Sequence, residues 1–236
     1  MNLSNILFLD IETVPQHPSF DLVPNDWKDL WTKKAESLLR NREQETVESI
    51  YGRAGIYAEF GKIICISCGL IQGSGEQKRL VIKSFYGEEE KLVLYEFCEM
   101  LRKWADPQKL LCAHNGKEFD FPYLCRRLII NSMPVPFILN TAGKKPWEVS
   151  HLDTMELWKF GDFKNYTSLN LLAHVLGIPT PKDDIDGSMV ADVYYKERNL
   201  KRIAEYCQKD VVTVAQVYLR IVGEALIRTE NVEIKS

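Results

Sequence analysis

The spacing of apolar residues along the chain changes between two periods, and each period predicts a different kind of element. Short apolar runs and alternating stretches are typical of buried strands. They predict five strands at about residues 6–13, 62–71, 78–86, 110–113 and 151–153. Apolar residues three and four positions apart are typical of helices. They predict helices at about residues 27–40, 43–51, 88–105, 119–131, 155–159, 168–176, 189–196 and 200–225.

The order of these elements predicts the fold class. The first three strands follow one another, and the glycine-containing turn at residues 72–76 predicts a hairpin between the second and the third. A helix, a strand, a helix and a strand come next, and helices complete the chain. This order predicts one α/β domain over residues 1–236, with a three-strand antiparallel meander plus parallel strands in one mixed, five-stranded sheet flanked by helices.

Residues 15–60, between the first two strands, are predicted to form a helical insert. The segment begins with a proline-containing loop, and its helices carry several lysines and arginines. One interpretation is an ordinary solvated helical face. The other is a lid or clamp over a substrate strand, and the sequence leaves both open.

Composition and charge are those of a globular protein in water. Hydrophobic residues make up 45% of the chain and charged residues 27%. No apolar run reaches the roughly 20 residues of a membrane span. The first apolar run lacks a basic leader and is interrupted by Asp10, so we expect no signal peptide, a cytoplasmic location and no membrane partner. The formal net charge of −3 argues weakly against nonspecific coating of nucleic acid but not against an acidic, metal-binding centre.

The six cysteines are expected to be reduced and mostly buried, because several lie within apolar segments. Cys65 and Cys68 form a C-x-x-C pair inside a predicted strand. Residues three apart on a strand face opposite ways, and no second pair follows. The spacing therefore does not favour a structural zinc site.

The end of the first strand carries the first candidate chemistry. Asp10 and Glu12 are two residues apart, so in an extended chain their side chains point to the same face. Two adjacent carboxylates repel each other, and burying them costs several kcal/mol unless positive charge is present. A divalent cation that prefers oxygen ligands, Mg²⁺ or Mn²⁺, is the natural partner.

Two later motifs supply further polar groups. Asp120 follows a predicted strand and begins a helix, where the helix dipole alone favours negative charge. Tyr206 and Asp210 are four residues apart on the last helix and therefore lie on one face, one turn from each other. Each motif also has a structural interpretation: a helix N-terminal aspartate, a core tyrosine and an exposed aspartate.

Taken in order, these motifs resemble those of a known superfamily. Asp10-Ile11-Glu12, Asn115-x-x-x-Phe119-Asp120 and Tyr206-x-x-x-Asp210 are similar to the three motifs of the DEDD 3′–5′ exonucleases, the DnaQ-like nucleases with the RNase H-like fold. The middle motif most resembles that of the proofreading domain of family-B DNA polymerases. One branch of the superfamily has histidine where this chain has Glu205, whereas the tyrosine branch, DEDDy, has the tyrosine found here. The resemblance extends from Ile6 to about Val222.

The resemblance implies a catalytic centre with two divalent ions, Mg²⁺ or Mn²⁺. Asp10, Glu12 and Asp210 are implied to hold one ion with the scissile phosphate, and Asp10 to bridge to the second. Asp120 is implied to act largely through metal-bound water. Tyr206 is implied to orient the nucleophilic water, because the ordinary pKa of a tyrosine, about 10, makes it a poor general base at neutral pH.

Substrate contacts are implied less specifically. Backbone at Thr13 and Val14 is expected to contact the terminal nucleotide. Phe119 and Tyr123 are expected to offer aromatic faces to unpaired bases, although packing of the helix against the sheet explains them equally well. Asn115 is expected to touch a phosphate or to shape the turn.

The resulting hypothesis is a metal-dependent 3′–5′ exonuclease that releases nucleoside 5′-monophosphates from single-stranded or frayed 3′ ends, with DNA favoured over RNA. The alternatives are an RNA exonuclease and a non-catalytic nucleic-acid-binding or assembly module that keeps the fold. A role in DNA repair is compatible with the hypothesis of a DNA exonuclease. Nucleic acid is the expected partner, and the sequence indicates no protein partner.

Overall fold

The computed structural model describes residues 2–40, 44–162, 166–179 and 185–235. Its centre is a six-stranded sheet with the spatial order β5-β4-β1-β2-β3-β6. The strands are β1 (Ile6–Pro15), β2 (Gly61–Gln72), β3 (Arg79–Tyr86), β4 (Leu110–Ala113), β5 (Leu152–Asp153) and β6 (Val232–Lys235). β1, β2 and β3 form an antiparallel meander, β4 is parallel to β1, and β5 is parallel to β4. The mixed α/β sheet and its five predicted strands are confirmed.

The sixth strand corrects the predicted strand number. β6 pairs in parallel with β3, with Leu80 opposite Val232 and Lys83 opposite Lys235. Four residues are too few for a periodic signal, so the pattern did not indicate this strand. The segment before it is attached to the last helix by Gln216, whose side-chain amide donates to the backbone oxygen of Ile227 (2.7 Å) and accepts from its N–H (3.0 Å).

The helices flank both faces of the sheet. They are α1 (Asn25–Leu39), α2 (Glu90–Trp104), α3 (Asp120–Ile130), α4 (Thr154–Lys159), α5 (Leu169–Val175), α6 (Val190–Asp192) and α7 (Leu200–Ile221). A π-helical turn, Val193–Glu197, continues α6. All seven lie within or close to predicted segments.

The predicted helix at residues 43–51 is wrong over its described part. Residues 44–50 form turns and irregular chain, and a 3₁₀-helix follows at Tyr51–Ile56. Thr46 and Ser49 exchange hydrogen bonds between their side chains and each other's backbone N–H groups, at 2.8 and 3.2 Å. Such local bonds compete with a helix for the backbone donors. Residue 43 lies outside the described residues.

The insert between β1 and β2 has a small aromatic core of its own. Trp31 of α1 is fully buried there, and its indole N–H donates to the backbone oxygen of Val47 at 3.1 Å. Gly55 attaches this unit to β1, because a Cβ at this position would lie 3.1 Å from the backbone of Val14 and Pro15. Close approach of the two backbones therefore favours glycine here.

The two sides of β1 face different helices. Leu7, Leu9 and Ile11 pack into a core with α2 and α3. Ile6 and Phe8 pack on the other side, against α7. α7 covers this second side of β1. The next even-numbered residues of the strand, Asp10 and Glu12, therefore also face α7.

A buried ion pair joins the first of these cores to the insert. Glu90 of α2 accepts from the guanidinium of Arg127 in α3 at 2.5 and 2.8 Å, and from the N–H of Ile63 at 2.7 Å. Arg127 also donates to the backbone oxygen of Ala58 at 2.7 Å. One carboxylate thus fixes two helices and β2 to one another.

Candidate active site

The alternation of β1 brings Asp10 and Glu12 to the same side of the sheet. They continue the row of even-numbered side chains under α7, after the apolar Ile6 and Phe8. Asp10 is partly exposed, whereas Glu12 is 7% exposed. The register of β1 with β2 shifts directly after Glu12. Bulges of this kind often lie beside active sites, where they redirect a strand.

Asp120 reaches the same strand from its open edge. β4 pairs with β1 only over Ile6–Phe8, so the edge of β1 beyond that point is not used by β4. Asp120 is the first residue of α3 and is 4% exposed. Its carboxylate accepts a hydrogen bond from the backbone N–H of Ile11. The shortness of β4 therefore lets a carboxylate approach β1.

Tyr206 and Asp210 approach from α7. The Tyr206 hydroxyl donates a hydrogen bond to the Asp210 carboxylate, as expected for residues one turn apart. Both side chains are partly exposed, whereas Cys207 and Val211 of the same helix are fully buried. The pair therefore lies where the buried face of α7 meets solvent.

The electrostatics of these groups show that they form one cluster. Burial raises the pKa of Asp10 well above its usual range, and the carboxylates of Asp210 and Asp120 raise it further. The pKa of Glu12 is raised in the same way, by burial first and then by Asp10. Burial also raises the pKa of Asp120, to about 7. Burial and Asp210 raise the pKa of Tyr206, so its hydroxyl stays protonated at neutral pH.

This cluster fits a divalent cation. Carboxylate oxygens are the ligands that Mg²⁺ and Mn²⁺ prefer. Among the described residues, the charged groups that act most strongly on Asp10 and Glu12 are other carboxylates. One ligand atom each from Asp10, Glu12 and Cys207 lie within 4.8 Å of one another. The mutual repulsion of the carboxylates and the type of donor atoms both fit a metal centre.

The raised pKa values predict how stability of the metal-free protein depends on pH. An aspartate titrates near 3.9 in the unfolded chain, whereas Asp120 titrates at about 7 in the folded protein. Between these values the folded protein holds protons that the unfolded chain has released, so stability in EDTA falls as pH rises through this window.

Divalent ions are therefore expected to stabilise the protein more at pH 8 than at pH 5, because protons compete with them at the lower pH. At about one hundred times Kd, Mg²⁺ or Mn²⁺ is expected to raise Tm at pH 8 by roughly 5 °C or more. Thermal unfolding followed by far-UV circular dichroism measures this shift. An equal rise in Tm at pH 5 and pH 8 would show that protons do not compete with the ions for these carboxylates.

Three predicted substrate contacts lie near the end of β1, and one of them, Tyr123, needs correction. The side chain of Val14 is fully buried between β2 and α6, and the backbone contact predicted for this residue stays a prediction. Tyr123 is 1% exposed, and its hydroxyl donates to the backbone oxygen of Gly55 at 2.8 Å. Its ring therefore has no face open to a base, and it serves to hold α3 against the insert. Thr13 is partly exposed and hydrogen-bonded to Tyr123.

Phe119 and Asn115 lie in the turn before α3. Phe119 is partly exposed, with its ring 5.3 Å from that of Tyr123, so base contact stays a prediction. Asn115 has a left-handed backbone (φ 60°), and its N–H donates to Asp153 at 2.9 Å. Its side-chain oxygen is buried and has no hydrogen-bond partner among the described residues. The turn-shaping role predicted for Asn115 agrees with this backbone, and a phosphate contact stays a prediction.

Two residues of this region have structural roles. Asp153 accepts from the N–H groups of Met155 and Glu156 and so caps α4. His114 bonds to Thr154 and to the backbone oxygen of Thr167, both at 2.9 Å. Burial lowers the pKa of His114, which favours the neutral imidazole.

Cys207 is the site residue that the sequence did not reveal. Its sulfur lies 3.3 Å from the Oδ2 atom of Asp10, and the described cysteines are all free thiols. The prediction of mostly buried cysteines is confirmed, and Cys65 and Cys68 do pack on opposite sides of β2. The signal for Cys207 was its spacing, because residue 207 lies three positions before Asp210 on the same helix.

Comparisons with known proteins agree with this fold. The family model described as "Predicted 3'-5' exonuclease related to the exonuclease domain of PolB" matches residues 56–230. The match includes Asp120, Tyr206 and Asp210 but not β1, which carries Asp10 and Glu12. No curated protein sequence matches the chain significantly.

A solved structure shows the same fold at low sequence identity. The family B DNA polymerase from the hyperthermophilic archaeon Pyrobaculum calidifontis aligns with a TM-score of 0.51 and 13% identity. The alignment covers 94% of this chain but only 26% of the polymerase chain.

In the described part of the chain, no helix combines the length and apolarity needed to cross a membrane.

Proposed function

Because the chain belongs to the family of predicted 3′–5′ exonucleases related to the exonuclease domain of PolB, we propose that it is a metal-dependent 3′–5′ exonuclease of the tyrosine type. It hydrolyses the last phosphodiester bond of a single-stranded or frayed 3′ end and releases nucleoside 5′-monophosphates. DNA is the favoured substrate.

One observation carries the proposal: carboxylates from three separate elements act on one another in a single cluster. The pKa of Asp10 is raised by both Asp210 and Asp120, after burial. Such a cluster is unfavourable in a protein that merely binds nucleic acid, because it repels phosphates and costs stability. It is favourable where two divalent ions bind. When bound, these ions lower the pKa of a water molecule and stabilise charge on the attacking and leaving oxygens.

The proposed roles are those that the motif resemblance implies. Asp10, Glu12 and Asp210 would hold one ion together with the scissile phosphate, and Asp10 would also serve the second ion. Asp120, whose carboxylate accepts a hydrogen bond from the N–H of Ile11, would act largely through metal-bound water. The four carboxylates themselves repel a phosphate, so substrate binding at this cluster would depend on the bound ions.

Tyr206 is proposed to orient the attacking water. Its raised pKa excludes the role of general base at neutral pH, since the phenol keeps its proton. The hydroxyl instead donates to Asp210 and offers its oxygen lone pairs to a water molecule.

Tyr206→Phe is expected to lower kcat by about 10- to 100-fold with little change in KM, because an orienting hydrogen bond matters mainly in the transition state. Steady-state cleavage of a short single strand measures both constants. A change confined to KM would show that the hydroxyl only helps to bind the strand. Tyr86→Phe is a matched control, since Tyr86 is an exposed tyrosine of β3 outside the cluster.

The proposal is tested by analysing the products released from DNA and RNA strands of identical sequence. With Mg²⁺ or Mn²⁺, chromatography is expected to show nucleoside 5′-monophosphates, formed faster from DNA, and EDTA is expected to abolish them. Faster release from RNA would favour the RNA exonuclease. Strands that stay intact with either ion yet bind the protein would favour the non-catalytic module.

A further inference from the structure

We propose that Cys207 is a direct ligand for thiophilic divalent ions, so that Zn²⁺ binds Asp10, Glu12 and Cys207 together. This site rests on the metal centre of the proposed function and extends it from hard ions, which prefer oxygen, to an ion that also prefers sulfur. The remaining tetrahedral position is left for water or a phosphate oxygen, as in zinc sites with three protein ligands.

The geometry supports a shared ion. The sulfur of Cys207 lies 3.3 Å from the Oδ2 atom of Asp10, and single ligand atoms from these residues and Glu12 lie within 4.8 Å of one another. Zinc bonds of about 2.3 Å to sulfur and about 2.1 Å to oxygen place tetrahedral ligands roughly 3.5 Å apart. The sulfur and one carboxylate thus already have about the required separation, and Glu12 supplies a third ligand atom within 4.8 Å of both.

The surroundings hold the thiol in place. Cys207 is fully buried in α7, and its sulfur also contacts the backbone oxygen of Asp10 at 3.4 Å. A second thiol, Cys65, lies opposite Glu12 on β2 and hydrogen-bonds to Cys207. The Cys65 sulfur lies 3.7 Å from the Ser67 hydroxyl. Cys65 is not among the three residues whose ligand atoms lie within 4.8 Å of one another, so its proposed role is to position the Cys207 thiol.

Binding exchanges a proton for the ion. The thiol hydrogen that now points to Asp10 is released to solvent when the sulfur–metal bond forms, and no oxidant or reductant is needed. A sulfur ligand does little for Mg²⁺, which takes oxygen ligands in octahedral geometry. Cys207 thus raises the affinity of this position for Zn²⁺ relative to Mg²⁺, which the four carboxylates alone do not.

The test uses Cd²⁺ as a spectroscopic substitute for Zn²⁺, because a thiolate–cadmium bond has a charge-transfer absorption in the ultraviolet. One equivalent of Cd²⁺ is expected to produce this band in the reduced wild-type protein. Cys207→Ser is expected to remove the band and to weaken Zn²⁺ binding at least about tenfold in competition with a chromophoric chelator. Cys125→Ser, which removes a thiol remote from the cluster, is expected to keep both.

X-ray absorption of the wild-type protein loaded with one equivalent of Zn²⁺ tests the site without any substitution. One sulfur at about 2.3 Å from zinc is expected. A shell of oxygen and nitrogen alone, or a cadmium band that survives Cys207→Ser, would overturn the proposal. The readout is independent of cleavage: a protein that shows the band but cuts no strand refutes the proposed function, whereas an active nuclease without the band refutes only this site.

Discussion

Asp10→Asn is expected to lower the cleavage rate at least about 10³-fold without unfolding the protein. The proposed centre shares Asp10 between both ions, and bound ions contribute several kcal/mol of transition-state stabilisation. Each 1.4 kcal/mol corresponds to a tenfold change in rate, which sets the expected size. Asp210→Asn is expected to have an effect of the same order, measured as initial rates on a labelled single strand with saturating Mg²⁺.

Measuring the stability of these variants shows whether a lost activity comes from lost metal binding or from unfolding. The carboxylate of Asp210 raises the pKa of Asp10, so the two destabilise each other in the metal-free protein. In EDTA at pH 8, either asparagine variant is therefore expected to unfold at a temperature no lower than wild type.

Glu205→Gln is the matched control for these two variants. Glu205 lies on the exposed side of α7, and its carboxylate is 3.8 Å from the ammonium of Lys201. Its amide variant is expected to keep the cleavage rate within about twofold, since an exposed ion pair contributes little. Near wild-type cleavage by Asp10→Asn would show that the cluster is not the catalytic centre.

Glu90→Ala is expected to lower the free energy of unfolding by about 3–5 kcal/mol. The substitution leaves the Arg127 guanidinium buried and without its carboxylate, and it removes the acceptor of the Ile63 N–H and of the Asn131 amide. The two charged side chains are 9% and 5% exposed, so water replaces little of what is lost. Chemical denaturation followed by tryptophan fluorescence measures the change.

Replacing both partners is the control for that result. Glu90→Leu combined with Arg127→Met removes both charges, and this double variant is expected to be more stable than Glu90→Ala. The comparison isolates the cost of an unpaired buried charge from the cost of lost packing. If Glu90→Ala costs less than about 1 kcal/mol, the ion pair does not hold α2 and α3 as described.

Local patterns predicted the parts of the structure that depend on local geometry. Alternation along β1 indicated that Asp10 and Glu12 share a face, and helical spacing indicated the same for Tyr206 and Asp210. The long amphipathic helices were predicted for the same reason, since each buries one continuous stripe against the sheet.

What the sequence did not reveal depends on contacts between distant segments. β6 pairs with β3 although the paired residues, such as Leu80 and Val232, lie far apart in the sequence, and its four residues carry no periodic signal. Tyr123 was predicted to meet a base, but the insert approaches α3 and supplies Gly55 as its hydrogen-bond partner. Cys207 was interpreted as an ordinary buried thiol, because its distance from Asp10 exists only once α7 lies over β1.

End-labelled single strands test the central claim most directly. With Mg²⁺, a 5′-labelled strand is expected to shorten one nucleotide at a time, and a 3′-labelled strand of the same sequence is expected to release its label at once as a mononucleotide. EDTA is expected to stop both reactions. Release of the 5′ label first, or cleavage that continues in EDTA, would contradict a metal-dependent 3′–5′ exonuclease built on Asp10, Glu12, Asp120 and Asp210.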